Sequence, residues 1–202
     1  MSLQIEVKPG FQPLQEKLVT LYGISWEKFK AIEANLEDIK NVRLSYLKGV
    51  LEIMSPIGDK HETVKSTIGI LLEAYFREMG IRYYRRGGFT LEAVGFASGT
   101  PDESYSIGER QDLPDIVIEV VVTSGTINRT ELYEPLKIPE VWFWKAGQLR
   151  VFSLQGEKYQ EVFCSQLLPN LDLALLLKYV GHPDQYDAVQ GFLAEIRQGK
   201  EN

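Results

Sequence analysis

In residues 114–123, the sequence PDIVIEVVVT, one carboxylate, Glu119, lies inside a run of β-branched residues that follows Asp115. The run that follows Asp115 shows no alternation of polar and apolar residues, which predicts a strand buried on both faces. An ionised carboxylate at Glu119 would cost several kcal/mol in such a strand unless it has a partner, a proton or a metal ion. Glu119 therefore predicts either a buried ion pair or a metal site.

The chain of 202 residues is long enough for one domain with a substantial core. We expect a single domain over residues 1–202, with a helical segment at 1–40, a core at 41–180 and a C-terminal helix at 181–202. The single cysteine, Cys164, and the lack of a signal-peptide pattern predict a cytoplasmic protein. The longest apolar run near the C-terminus is too short to span a bilayer, so we expect no membrane partner.

The formal net charge is −6, from 22 basic and 28 acidic residues. This balance argues against a dedicated nucleic-acid-binding module, which usually carries a strong basic excess. It leaves room for a nucleic-acid enzyme, because a local basic patch and a bound cation can offset a global deficit.

Hydrophobic periodicity predicts a mixture of helices and strands. The clearest helix covers 60–79, and another helical stretch covers 13–38, interrupted at Gly23 and capped at Ser25. Strands are predicted at 42–47, 50–54, 81–85, 89–93, 102–107, 116–122, 140–144, 149–153 and 159–163, and further helices at 129–134 and 184–197. These elements predict an α/β (α+β) fold in which helices flank a mixed central β-sheet.

Glu119 needs a partner from another strand. Asp115 lies on the same strand face, but four residues separate the two by about 13 Å, so we expect Asp115 to end the strand or accept backbone hydrogen bonds. A hairpin centred near Gln111 would place Glu103 opposite Glu119, and a one-residue bulge would place Asp102 there instead. Asp102 or Glu103 can therefore approach Glu119, and two such carboxylates form a minimal Mg²⁺ site.

The order of several short motifs resembles a known family. Asp102 follows a proline, and Glu119 comes 17 residues later, which resembles the PD-(D/E)xK motif of restriction-endonuclease-like nucleases. Further similar segments are, in chain order, 49–56, 61–62, 100–103, 114–121, 123–125, 132–133 and 138–144. Over residues 42–180, their order and spacing resemble the putative restriction endonuclease family abundant in photosynthetic bacteria.

The resemblance implies a restriction-endonuclease-like core and metal-dependent hydrolysis of phosphodiester bonds in DNA. It implies that Asp102 and Glu119 hold Mg²⁺ or Mn²⁺, which polarises the phosphate and activates water. The position of the motif lysine is Val121 here, and the resemblance implies a replacement on the following helix, at Arg129. Arginine can stabilise negative charge but cannot act as a base. Lys137 is the other candidate for the role of the missing lysine.

Glu62 and His61 each have two interpretations at the start of the helix predicted for 60–79. Glu62 fits the third position of a capping box that begins at Asp59, whereas the resemblance implies an acidic residue near the metal. His61 continues the apolar face of the helix. It is therefore either a hydrogen-bonded core residue or a group that contacts the phosphate of a nucleic acid.

The segment around Arg82, Arg85 and Arg86 interleaves cations with Tyr83 and Tyr84. This pattern suits contact with nucleic-acid phosphates together with base stacking. A strand with an exposed basic face has the same pattern.

Three functions remain open from the sequence. The first is a Mg²⁺-dependent DNA endonuclease, for which a symmetric homodimer is the default arrangement for cutting both strands. The second is a catalytically impaired nuclease-fold protein that binds nucleic acid or a protein partner. The third is a metal-dependent hydrolase with another substrate, which no residue specifically indicates.

Overall fold

A computed structural model describes residues 17–39, 42–55, 58–122 and 125–201. Parts of three predicted features lie outside these residues: the first positions of the helix predicted for 13–38, the end of the motif at 49–56, and positions 123–124 of the motif at 123–125.

The larger of two sheets has six strands in the order β11-β10-β9-β8-β7-β4. Their bounds are β4 Tyr83–Arg85, β7 Glu103–Ile107, β8 Ile116–Val121, β9 Glu140–Lys145, β10 Gln148–Gln155 and β11 Lys158–Val162. β8 pairs in parallel with β9, and the other neighbours are antiparallel. The sheet is mixed, as predicted, and β8 lies inside it.

The smaller sheet has five strands in the order β1-β3-β2-β6-β5, all antiparallel. Their bounds are β1 Lys17–Tyr22, β2 Arg43–Leu47, β3 Val50–Ser55, β5 Leu91–Ala93 and β6 Ala97–Gly99. The sequence predicted one central sheet, whereas the strands near the N-terminus form this second layer.

Five α-helices accompany the sheets within the described residues: α1 Trp26–Leu36, α2 Asp59–Glu78, α3 Arg129–Tyr133, α4 Leu173–Val180 and α5 Gln185–Glu201. The helices α2, α4 and α5 contribute to one core cluster on one face of β8, around Ile116, Ile118 and Val120. On the other face, Val117 packs in a second cluster with α3 and residues of the smaller sheet. Burial on both faces explains why β8 lacks a polar alternation.

The helical prediction for 13–38, and with it the helical segment expected at 1–40, is wrong at residues 17–22, which form β1. This segment is rich in β-branched and aromatic residues and pairs along its whole length with β3. Its pairing outweighs a weak helical periodicity. The cap at Ser25 is confirmed, because its side chain accepts a hydrogen bond from the Lys28 amide at 3.3 Å.

The helix predicted for 60–79 is confirmed as α2, whereas β6 and α4 were not predicted. No helix in the described part of the chain is both long and apolar enough to cross a membrane. The predicted fold class, a mixed sheet with helices on its faces, is confirmed.

Candidate functional site

Glu119 lies in β8 on the face shared with Val117 and Val121. Its side chain is only 4 % exposed. Its Oε1 accepts a hydrogen bond from the Tyr133 hydroxyl at 2.5 Å. Within the described residues, Oε2 accepts no hydrogen bond, so one oxygen of a buried carboxylate remains available.

Asp102 precedes β7 and lies beside Glu119. Glu103 pairs with Ile118 and not with Glu119, so the register is shifted by one residue from the hairpin centred near Gln111. In this shifted register, Asp102 is the residue that lies opposite Glu119. The Asp102 amide donates to the Ile118 carbonyl at 3.0 Å, and Oδ2 accepts from the Val120 amide at 2.6 Å. Asp102, rather than Glu103, is therefore the carboxylate that the sheet places next to Glu119.

The surroundings shift the pKa values of these carboxylates in opposite directions. Burial raises the pKa of Glu119, and the charge of Asp102 adds to this rise, against the charges of Arg129 and Arg43. Burial would also raise the pKa of Asp102, but a hydrogen bond from His61 and the charge of Arg43 outweigh it and lower that pKa. Asp102 is therefore held as an anion, whereas the neighbouring positive charges compensate the negative charge of ionised Glu119 only in part.

Two cationic or polar side chains contact Oδ1 of Asp102. Arg43, at the start of β2, donates to it from Nη1, and His61 Nε2 lies 3.1 Å away from the first turn of α2. His61 is buried, as the core interpretation predicted, and its ring lies at the site itself. Arg43 was not predicted as a site residue, because no local pattern marks it.

Arg129 is the first residue of α3, and two side chains of the smaller sheet hold its guanidinium. Nη1 donates to the Ser45 hydroxyl at 2.5 Å, and Nη2 lies 3.6 Å from Glu52 Oε2. Glu52 Oε1 also accepts hydrogen bonds from the amides of Thr126 and Ile127, the latter at 2.8 Å. Glu52 therefore fixes both the segment before α3 and the position of Arg129.

Glu52 lies in the segment 49–56, which resembles the family, but it was not predicted as a site residue. It is a single carboxylate in the apolar strand Val-Leu-Glu-Ile-Met, the same signal that identified Glu119. A Cβ on Gly125 would approach Glu52 Oε1 to 2.4 Å. Glycine at position 125 therefore lets the backbone pass close to this carboxylate.

Glu62 lies at the edge of the site. It forms an ion pair with Lys65 at 2.7 Å, and its Oε1 is 3.5 Å from His61 Nδ1. The predicted capping box is wrong, since α2 begins at Asp59 after Gly58 and no side-chain hydrogen bond caps it. Glu62 is linked to Asp102 only through His61.

The structure places Arg82, Arg85 and Arg86 around β4, away from Glu119. Arg85 Nε donates to Glu103 Oε2 at 3.0 Å, and Arg86 donates to backbone carbonyls of the following hairpin, one of them at 3.3 Å. Arg85 also lies 3.5 Å from Glu73 of α2, on the helix-covered face of the sheet. The structure therefore does not bring these arginines to the carboxylate pair.

The remaining sequence candidates also have defined places. Asp115 accepts a hydrogen bond from the Ile107 amide at 2.7 Å, which confirms its predicted structural role. Lys137 has left-handed backbone angles after the turn Glu134–Leu136, and it lines depressions other than the one at Glu119.

A cleft of about 600 Å³ opens beside Glu119. Its lining includes four cationic side chains, and Glu119 is the one carboxylate that the described residues contribute to it. The cations are Arg43, Arg129, Lys145 and Arg150. Lys145 of β9 pairs in the sheet with Val121, the position of the motif lysine. Three of the cations already pair with carboxylates outside the lining, Arg43 with Asp102, Arg129 with Glu52 and Arg150 with Glu161, whereas Lys145 forms no ion pair with a described residue. The lining itself still carries more cationic than anionic side chains, which suits a polyanionic ligand.

Carboxylate oxygens of Asp102 and Glu119 are suitable ligands for Mg²⁺ or Mn²⁺. Among the described residues, Asp102 Oδ2 and Glu119 Oε1 each have a single donor. In the described ranges, no three His, Cys, Asp or Glu side chains are grouped to hold a metal. Mg²⁺ is often bound by one or two carboxylates plus water and substrate phosphate, so the donor chemistry of the pair suits this ion. Glu119 lines the cleft, whereas the Asp102 side chain is fully buried behind it.

A family model described as Uma2, putative restriction endonuclease, matches residues 26–180 of the chain. The match extends from α1 to α4 and includes both carboxylates and the cations of the cleft. No curated protein matches the chain at a significant level.

Proposed function

Because the chain belongs to the putative restriction endonuclease family, we propose that it is an endonuclease that hydrolyses DNA phosphodiester bonds with Mg²⁺ or Mn²⁺. The observation that carries this proposal is Glu119, a buried carboxylate with a raised pKa that lies beside Asp102 and lines a cleft with four cationic side chains, and whose Oε2 accepts no hydrogen bond from the described residues. A buried charge so incompletely compensated is typical of a functional group.

The residues of the site have separate roles in this proposal. Asp102 and Glu119 hold the ion, which when bound polarises the phosphate and lowers the pKa of its water. Arg129 is fixed by Ser45 and Glu52 and stabilises the negative charge that grows on the phosphate. Because Arg129 stays protonated, it does not take the proton of the attacking water.

A second candidate is a nuclease-fold protein that binds nucleic acid or a protein partner without cutting DNA. The contact between Arg43 and Asp102 favours it, because this guanidinium already compensates one carboxylate. Val121 at the position of the motif lysine favours it as well.

The test is nicking of supercoiled plasmid by the purified protein with Mg²⁺ or Mn²⁺. We expect cleavage by the wild type and a loss of about a thousandfold in Glu119→Gln, with circular dichroism unchanged. Glu157→Gln, an exposed residue between β10 and β11, is the matched control and should cut normally. A wild type that never cuts DNA with either ion would overturn the proposal in favour of the second candidate.

Metal binding can be measured separately from cleavage. Calorimetric titration with Mn²⁺ should show one site in the wild type, weakened at least about tenfold in Asp102→Asn. Unchanged binding in this variant would remove Asp102 from the ligand set.

The two strands of a duplex run in opposite directions, and two sites related by a two-fold axis can cut both in one binding event, so we propose a two-fold symmetric homodimer on DNA. Sedimentation of the protein with a short duplex would show two copies per duplex. One copy per duplex would refute the dimer without affecting the proposed cleavage of a single strand.

A further inference from the structure

Two phenylalanine rings form the apolar floor of the cleft. Phe143 of β9 and Phe152 of β10 lie with ring centroids 5.5 Å apart at 84°, and both are only half-buried. By contrast, Trp142 and Trp144 point to the opposite face of β9 and are buried in the main core. Because the two ring planes are nearly perpendicular, one ring can present its face to a ligand in the cleft while the other contacts the ligand with its edge.

The sheet register places this floor next to the carboxylate pair. Glu119 of β8 pairs with Phe143, and Val141 pairs with Phe152, so both rings lie on the same sheet face as Glu119. The Cα atoms of Glu119 and Phe143 are thus separated by about one inter-strand spacing, roughly 4.8 Å. A nucleotide spans a comparable length from its phosphate to its base.

Two cationic side chains lie beside the floor. Arg150 pairs with Phe143 in the sheet, and its guanidinium lies 5.1 Å from the centroid of the Phe152 ring, but Glu161 already binds it through two hydrogen bonds at 2.7 and 2.5 Å. Lys145 is exposed and forms no ion pair with another described residue. Lys145 is therefore the cation that can bind a phosphate flanking a base that lies over the rings.

We propose that Phe143 and Phe152 form a subsite that stacks one unpaired nucleobase beside the phosphate to be cut. A base inside a perfect duplex is already paired and stacked, so it cannot reach these rings unless it leaves the helix. The protein would therefore prefer DNA that has an unpaired nucleotide at the cleavage position. This inference rests on the proposed nuclease function, and it defines the substrate class.

The test compares two fluorescein-labelled duplexes of equal length, one perfectly paired and one with a single bulged nucleotide, by fluorescence anisotropy in EDTA. We expect the wild type to bind the bulged duplex about tenfold more tightly. Phe143→Leu and Phe152→Leu should lose this preference, whereas Phe143→Tyr should keep it. Phe163→Leu, at a fully exposed ring outside the cleft, is the matched control and should behave as the wild type.

Equal affinity of the wild type for both duplexes, or no binding to either, would overturn the subsite whether or not the variants fold. A preference that survives in both folded leucine variants would also overturn it. Nicking with Mg²⁺ separates the two proposals. Selective binding without cleavage supports the subsite and refutes the nuclease, whereas equal binding and cutting of both duplexes refutes only the subsite.

Discussion

Glu119 and Glu140 are buried carboxylates on neighbouring parallel strands, but their hydrogen-bonding environments differ. Glu140 begins β9, is 1 % exposed and points to the helix-covered side of the sheet. It accepts four hydrogen bonds, from Trp142 Nε1, Ser165 Oγ and the amides of Gln166 and Leu167, at 2.6–3.3 Å. Glu119 borders the cleft and accepts one hydrogen bond from the described residues, donated by Tyr133.

The comparison shows that burial alone does not identify a functional carboxylate. The four hydrogen bonds that Glu140 accepts replace the hydrogen bonds with water that it loses on folding. Its burial therefore needs no functional explanation. Among the described residues, Glu119 lacks this replacement, because no described group donates to its Oε2. The number of hydrogen bonds that the carboxylate accepts from described residues separates the structural carboxylate from the candidate ligand.

The largest effect on stability is expected for Glu140→Ala, because four donors would lose their acceptor, two of them in buried hydrogen bonds and two in partly buried ones. The free energy of unfolding should fall by about 4 kcal/mol, as measured by urea denaturation. Glu157→Ala, at an exposed carboxylate, is the control and should change it by less than about 0.5 kcal/mol. A loss below about 1 kcal/mol in Glu140→Ala would mean that the four hydrogen bonds do not hold the end of the sheet.

Asp102→Asn should reduce the free energy of unfolding by about 3 kcal/mol at neutral pH, because it leaves Arg43 buried without its counter-ion. The pKa of Asp102 is lowered in the fold, so its contribution is present above the ordinary value of 3.8 and is lost as pH falls through the folded pKa. The difference between variant and wild type should therefore shrink in acid.

Urea denaturation across this pH range measures that difference, with Asp112→Asn as an exposed control. A difference that stays constant with pH would show that the asparagine acts through packing and not through charge.

Glu119→Gln should have the smallest effect and the opposite sign, with a gain of about 1 kcal/mol at neutral pH. Folding raises the pKa of Glu119, so its protonated form stabilises the folded wild type fully below the ordinary pKa of 4.5. This stabilisation is lost as pH rises through the folded pKa, because the buried carboxylate then becomes charged. Glutamine avoids this loss and can still accept the Tyr133 hydrogen bond. Thermal denaturation as a function of pH is the measurement, and destabilisation at neutral pH would contradict the comparison with Glu140.

The sequence predicted the parts of the site that carry a local signal. Glu119 was identifiable because a lone carboxylate interrupts an apolar strand, and Asp102 because a hairpin of defined length precedes that strand. Glu52 carries the same signal and was overlooked as a site residue. The hairpin register could not be predicted, since a shift of one residue exchanges Asp102 and Glu103 without changing the composition of either strand.

Other features depend on pairing between distant segments. Arg43 reaches Asp102 across 59 residues of sequence, and nothing near position 43 indicates this contact. Likewise, the alternating cations and tyrosines of β4 do not reveal that Arg85 is already bound by Glu103. The strand β1 was predicted as helix because its partner β3 is not adjacent in sequence. Local patterns report propensity, whereas these outcomes are set by tertiary pairing.

The packing of α5 on α2 sets a limit on how early the core can be completed during synthesis. Gln185 donates to Thr67 at 2.9 Å, and Arg197 binds Glu78 across 119 residues of sequence. At ordinary translation rates, roughly 6 to 24 s pass between the synthesis of the two helices. During this interval the apolar face of α2 lacks its final cover, so the nascent chain is most exposed to aggregation and chaperone binding before α5 emerges.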